Sequence, residues 1–316
     1  MFIEEILYYT AAFVTLAIAV LGGGIGQGIA SIATIDAIQR QPCSYQQNFR
    51  ALVIGLALIE SGIIIALVTA LMIIFSSQPL TMGVAVGEIG IALAIGLAGG
   101  AASIASSFVV KAAAESIGRQ PFFAPKITTV MLLAQSIMEA PVIIAFIISL
   151  LIRSRINANP DLIFGLQGLA AGLATGLGSV GPSIGQAIFT QAACKSIGVN
   201  KNAYNKIFPF MLLLEAVIET PLVFCLLVGL IILFRPLDGA LISDTLILIT
   251  AAVTIGLGAI GTASGIGFTG SKSVEGVAQN PDLYSILLRT TLLVVAFIES
   301  AIIYAMIIAL MLIMEV

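Results

Sequence analysis

The chain reads as an all-α membrane protein: eight transmembrane helices arranged as four tandem, parallel α-hairpins. Three observations predict this. Of its 316 residues 59% are hydrophobic and only 9% charged, with a mean hydropathy of +1.16; a soluble chain carries about 25% charged residues. Eight apolar stretches are each long enough to cross a bilayer, which takes about 20 residues. The pattern also repeats with a period close to 80: single carboxylates at Glu60, Glu139, Glu219 and Glu299 lie 79, 80 and 80 residues apart, each 18 residues after Pro42, Pro121, Lys201 and Pro281. A fixed internal period of this kind decides the architecture before any single element does.

The eight stretches run over about 6–38, 46–75, 86–117, 125–152, 162–196, 204–234, 243–277 and 283–314, with ends uncertain by about two to four residues. Within a pair the turn is short and polar (QRQPCSYQQ, GRQPFF, GVNKNAYN, AQNPDL). Between pairs lie FSSQPLTMG, RSRINANPD and FRPLDGALIS, with the Pro, Asn and Ser of connecting loops. The expected units are therefore residues 1–78, 79–157, 158–238 and 239–316. Two spans per unit keep all four in one orientation, unlike the inverted repeats of many transporters. Ten of the 13 Lys and Arg residues fall on the turn side and only Arg153, Arg155 and Arg235 on the other. The positive-inside bias places the turns in the cytoplasm and both termini opposite.

Composition removes several function classes. There is no histidine, which excludes imidazole acid–base chemistry and the commonest metal ligand. Cys43, Cys194 and Cys225 share no spacing and suggest neither a disulfide framework nor a zinc site. The N-terminus MFIEEILYY is acidic where a secretory signal is basic. No catalytic residue, cofactor or nucleotide site is expected, and nucleic acid is not among the expected partners.

The first helix of each hairpin carries small residues 20, 18, 16 and 14 positions before the turn residue. These are Gly22, Gly24, Gly26 and Gly28; Ala101, Ser103, Ala105 and Ser107; Gly181, Ser183, Gly185 and Ala187; and Gly261, Ala263, Gly265 and Gly267. Small residues let membrane helices approach closely where lipid gives no hydrophobic drive for association. Alternating glycines also mark dinucleotide-binding loops, but those need a preceding strand in a βαβ unit. The expected arrangement is a tightly packed inner layer of first helices, with the Leu-, Ile-, Val- and Phe-rich second helices outside, facing lipid.

On those outer helices the four Glu residues stand at one level. A single membrane carboxyl is often a structural hydrogen-bonding group; four at one register point to function. Desolvation disfavours the charged form, so such a group crosses lipid neutral and releases its ion where a polar path or a cation appears. Gln27, Ser106, Gln186 and Ile266 lie 15 residues before the turn residue, and Ser61, Ala140, Thr220 and Ser300 directly follow the Glu. A Glu with a Gln carbonyl and a hydroxyl offers oxygens for a dehydrated Na⁺; a Glu beside Ile or Ala is better suited to a proton. Glu215, one turn before Glu219, either shares a proton with it or is bonded across the helix interface, the latter being favoured.

Glycine-rich helix, Arg-Gln-Pro turn and mid-membrane Glu together resemble the c subunit (proteolipid) of F-type ATP synthases, four times over nearly the whole chain. Arg40-Gln41-Pro42 and Arg119-Gln120-Pro121 keep the family turn, whereas Gln279-Asn280-Pro281 and Val199-Asn200-Lys201 depart from it. The family unit is a single hairpin; four in one chain is similar to the fused rotor proteolipids of V-type and archaeal enzymes, which usually lack that turn. The resemblance implies a closed rotor ring in an energy-transducing membrane, inner helices innermost and lipid outside. Glu60, Glu139, Glu219 and Glu299 would bind H⁺ or Na⁺ and exchange it at subunit a, and the turns would touch stalk subunits γ and ε. It also implies a site built between neighbours, with Gln27 and Gln186 each facing the Glu of an adjacent repeat, where Na⁺ is possible. Closed symmetry with four hairpins per chain requires a hairpin number divisible by four; about three chains are expected, with four as the runner-up. From another class, a self-contained channel or transporter would need a polar pathway within eight helices, and the sequence offers only one level of carboxylates.

Overall fold

The computed structural model describes residues 2–76, 80–237, 239 and 241–316. Two expected hairpin boundaries, 78/79 and 238/239, involve residues outside that set. Among the described residues eight helices are long and apolar enough to cross a membrane, and none forms a strand. The protein is therefore an all-α integral membrane protein, as the composition and period predict.

In chain order, α1 (Phe2–Arg40) and α2 (Tyr45–Ile74) make the first hairpin. The second has α3 (Met82–Arg119) and an outer span in two pieces, α4 (Ala124–Met138) and α5 (Ala140–Ala158). The third pairs α6 (Leu162–Val199) with α7 (Tyr204–Phe234), and the fourth α8 (Ile242–Gln279) with α9 (Tyr284–Glu315). Each turn is a short 3₁₀ segment: Pro42–Ser44, Pro121–Phe123, Lys201–Ala203 and Pro281–Leu283. Proline suits such a helix start, since its φ is preset and its missing N–H would be unpaired there anyway. In the third turn Lys201 takes that place, and Asn200 Oδ1 accepts from the Asn202 amide at 3.1 Å.

The helices form two layers. The dominant packing is α1 on α3, α3 on α6 and α6 on α8, an unbroken inner row. Each outer span lies in the groove between its own inner helix and the next: α2 between α1 and α3, α4 and α5 between α3 and α6, α7 between α6 and α8. The last outer helix, α9, packs on α8 and α7 and has no following inner helix. The four hairpins thus make an open arc with two unlike edges.

The small residues at the matched positions meet backbone, as a Cβ added at Gly26 would lie 2.7 Å from the Ser103 carbonyl oxygen, and the close packing extends beyond those positions. A Cβ added at Gly90 of α3 would lie 2.6 Å from the Gly168 carbonyl oxygen and 2.7 Å from Leu169 Cα, both backbone of α6. Backbone cannot swing aside, so Gly90→Ala forces the two inner helices apart. The expected cost is about 1–3 kcal/mol, the range for overpacking a tight interface, read as a lower unfolding midpoint in detergent. An unchanged midpoint would show that the inner row has slack the packing does not suggest.

One outer span departs from expectation: a single helix over about 125–152 is divided at Glu139. Pro141 has no amide hydrogen, so the carbonyl of Ile137 loses its helical donor, and Glu139 takes a turn geometry (φ −80, ψ −17). The Val142 and Ile143 amides both return to the Glu139 carbonyl, at 3.1 and 3.2 Å. Pro221 holds the same position after Glu219, yet α7 runs through it unbroken.

Candidate ion-carrying site

Eighteen residues of helix rise about 27 Å, so the outer helices carry Glu60, Glu139, Glu219 and Glu299 to a common depth far from the turns. The surroundings differ from one carboxyl to the next. Glu60 is exposed, while Glu139, Glu219 and Glu299 are half-buried.

Glu219 has the best-formed polar partner. Gln186 of α6 donates its Nε2 hydrogen to Glu219 Oε1 at 3.2 Å. This corrects the expectation that Gln186 faces the Glu of an adjacent repeat: α6 and α7 belong to one hairpin, because an outer helix rests first on its own inner helix. Gln186 Oε1 is buried and accepts no hydrogen bond. One turn nearer the hairpin turn, Thr190 of α6 donates to Glu215 Oε1. Glu215 is fully buried, so it is bonded across the helix interface, and its Oε2 has no donor.

At Glu139 a residue of the neighbouring hairpin enters. Ser61 of α2 lies beside the Glu139 carboxyl, but its hydroxyl donates to the Leu58 carbonyl at 2.7 Å. Gln135, in the register of Glu215, donates to the Gly55 carbonyl of α2 at 3.2 Å. Ser106 turns to the Met138 sulfur at 3.9 Å. In the first hairpin Gln27 is half-buried on α1, and beside Glu60 Ser103 of α3 donates to the Ile59 carbonyl at 2.9 Å. In the fourth hairpin Ile266 is fully buried and Ser300 donates to the Phe297 carbonyl at 2.7 Å. Thr220 is half-buried beside Glu219.

The turns are divided between surface and interface. Arg40, Gln41, Pro42, Arg119, Gln279 and Asn280 are exposed, and Pro121 and Pro281 half-buried. Gln120 donates instead to the Gly198 carbonyl of the next hairpin at 2.8 Å.

Several polar features carry no signal in the repeat. Pro141 and Pro221 are visible two residues after the Glu in the middle hairpins only. Glu88 of α3 is buried beside Arg153 of α5, its Oε1 3.6 Å from Nη2. Gln167 of α6 donates to the Ile232 and Arg235 carbonyls at 2.7 and 2.9 Å. Among the described residues no group of three or more Cys, Asp or Glu side chains is placed to hold a metal ion.

The repeat has counterparts among known proteins. The family model for the ATP synthase c subunit matches the chain four times, at residues 10–73, 89–152, 169–232 and 249–312. An ATP synthase c subunit of Dehalococcoides mccartyi is 44% identical over 66 residues, 21% of this chain and 87% of that protein. One of Sulfurimonas denitrificans is 40% identical over 76 residues, 23% of this chain and 73% of that protein. One of Mesomycoplasma hyopneumoniae is 50% identical over 58 residues, 18% of this chain and 57% of that protein. Each relative thus corresponds to about one hairpin of the four. With four successive matches covering most of its length, the chain belongs to the family of ATP synthase c subunits, the rotor proteolipids, with four of the family's hairpins fused in one polypeptide.

Proposed function

We propose that this chain is the rotor-ring component of the membrane sector of an F-type ATP synthase, and that Glu60, Glu139, Glu219 and Glu299 each carry one H⁺ per revolution. The units are the hairpins 1–78, 79–157, 158–238 and 239–316. About three chains close the ring, with the turns on the cytoplasmic side of an energy-transducing membrane. Subunit a exchanges the ion, and the exposed residues of the turns meet subunits γ and ε. The observation that carries the reading is the common depth of four carboxyls on the outer, lipid-facing row of one arc. The intact Arg-Gln-Pro turns at 40–42 and 119–121 favour the F-type over a V- or A-type rotor.

Each carboxyl travels past lipid in its neutral form and ionises only where subunit a supplies a polar path and a counter-charge. A carboxylate entering lipid unpaired would cost several kcal/mol, and this ties ion exchange to rotation. The choice of ion follows from the poorest site. Gln186 lies against Glu219, an arrangement that could give Na⁺ an amide oxygen. The corresponding residue of the fourth hairpin, Ile266, is apolar, and Ser106 is turned to a sulfur. A ring running on Na⁺ needs every passing site to hold it, whereas a neutral carboxyl needs at most one acceptor. The weakest sites therefore select H⁺.

Carbodiimide modification of the assembled ring, with and without Na⁺ at neutral to alkaline pH, tests this. All four Glu residues are expected to react, with no protection by millimolar Na⁺. Protection of all four would replace the proton by Na⁺; failure of the four to react would remove them as carriers.

A further inference from the structure

We propose that the cleft between α1 and α3 at the turn end binds a phosphate group, carried by a phospholipid headgroup or a soluble phosphate compound, through Arg40, Lys111 and Arg119. The cleft has a volume of about 630 Å³ and is lined by the two inner helices and Gln41 alone. It opens away from the outer helices, and none of the four Glu residues they carry takes part.

The first junction is open because its ties are missing. Between the second and third hairpins the turn end is closed by three contacts. Ser116 donates to the Cys194 carbonyl at 2.9 Å, Gln120 donates to the Gly198 carbonyl at 2.8 Å, and Glu115 pairs with Lys195 at 3.6 Å. The period gives each contact a counterpart one hairpin earlier. Ala37 stands where Ser116 does and has no hydroxyl. Gln41 stands where Gln120 does, but its Nε2 turns back to Cys43 Sγ at 3.2 Å. Asp36 and Glu115 stand where Glu115 and Lys195 do, so an attraction becomes a repulsion. The spacing of the helices agrees. A Cβ added at Gly198 would lie 2.9 Å from Ser116 Cα, whereas one at Gly118, the same place one hairpin earlier, would lie 3.8 Å from Ala37 Cα.

The charges select the ligand. Arg40, Lys111, Arg119, Asp36 and Glu115 all line the cleft. Lys195 engages Glu115 from the other side, which leaves three cations against Asp36. Among the described residues none of the three has a hydrogen-bond or ion-pair partner. Arg40 and Arg119 sit in the last turns of their helices, where a cation offsets the partial negative charge of the final carbonyls. Lys111 is half-buried eight residues before Arg119, too far in for that explanation. Guanidinium and ammonium groups around one space suit the oxygens of a phosphate. The α1 wall is apolar at its deep end, with Ile29, Ile32 and Ala33. Ile29 precedes Pro42 by 13 residues, about 20 Å of helix. A wall graded from charged to apolar over that depth fits a phosphate headgroup with an acyl chain below it.

The test uses the full chain, purified in detergent and stripped of lipid, with binding read by native mass spectrometry during titration. Phosphatidylglycerol is expected to bind about tenfold more tightly than diacylglycerol, which has the same chains and no phosphate. Lys111→Gln is expected to weaken phosphatidylglycerol binding about tenfold, the loss of one charge-assisted hydrogen bond. Lys272→Gln, which removes an exposed lysine of α8, is expected to leave it unchanged. The Ala37→Ser, Cys43→Ala double variant alters no cation. It restores the hydroxyl and frees Gln41 for the Gly118 carbonyl, so it is expected to close the cleft and weaken binding by a similar factor. Displacement of the lipid by millimolar inorganic phosphate identifies a soluble phosphate compound as the ligand, and failure to displace it identifies the headgroup. Equal binding of diacylglycerol, or unchanged binding in both the Lys111→Gln and the closing variant, overturns the proposal.

Discussion

Glu219→Gln is expected to abolish ATP-driven ion uptake into vesicles while leaving the chain folded and inserted. The amide keeps the size and can still accept the Gln186 hydrogen that reaches Oε1 at 3.2 Å, so packing is preserved. What it loses is the ability to ionise. On the proposed reading, a carried proton would be released because a carboxylate opposite subunit a is stabilised relative to one in lipid by several kcal/mol; a side chain that never ionises would gain nothing there. At about 1.4 kcal/mol per factor of ten, coupled transport falls by about 100-fold or more. Every revolution brings the dead site round once per chain, so three intact carboxyls cannot bypass it. Glu60→Gln, Glu139→Gln and Glu299→Gln are expected to behave alike. Glu215→Gln is the contrast: that side chain is enclosed between α6 and α7, and Thr190 can still donate to the amide oxygen, so transport continues. If three of the four carrier variants kept full coupled uptake, the carriers would lie elsewhere.

The architecture was readable because it is written in composition and period, which depend on solvent and not on partners. Apolar runs of membrane length must be helical, since lipid offers nothing to backbone donors and acceptors. Small residues at four matched offsets then mark the side on which inner helices touch. Gly26 against Ser103 is such a contact. Contacts that depend on which helix rests where were not readable. Gln186 could equally have served the neighbouring Glu, and only the seating of α7 on α6 decides for Glu219. Pro141 stood in the sequence, but an identically placed Pro221 leaves α7 whole, so the residue type alone does not predict the break. Counting cations also hid their roles. Arg153 pairs with Glu88, Arg155 lies 5.1 Å from the centre of the Phe164 ring, and the carbonyl of Arg235 accepts from Gln167. A positive-inside count treats all three merely as charges on the minority side.

Arg153→Met is expected to destabilise the chain by about 3–5 kcal/mol, the range for breaking a buried pair by removing one partner. The Glu88 side chain is 0% exposed and that of Arg153 13%, with 3.6 Å between Nη2 and Oε1. Neither Glu88 oxygen has a hydrogen-bond donor, so the guanidinium is the compensation this carboxylate has. The same Nη2 donates to the Met72 carbonyl of α2 at 2.5 Å, so the pair also ties the far ends of the first two hairpins together. Methionine can fill much of the space of the arginine stem but leaves Glu88 a buried, unpaired charge and the Met72 carbonyl without that donor. The double variant Glu88→Gln, Arg153→Met removes both charges and is expected to recover most of the loss, because replacing a buried ion pair by neutral groups of similar volume is often close to neutral. Unfolding of the four variants in detergent gives the coupling energy directly. Recovery in the double variant identifies the uncompensated carboxylate as the source of the loss. Additive losses in the two single variants would show that Arg153 acts through packing and the Met72 carbonyl alone.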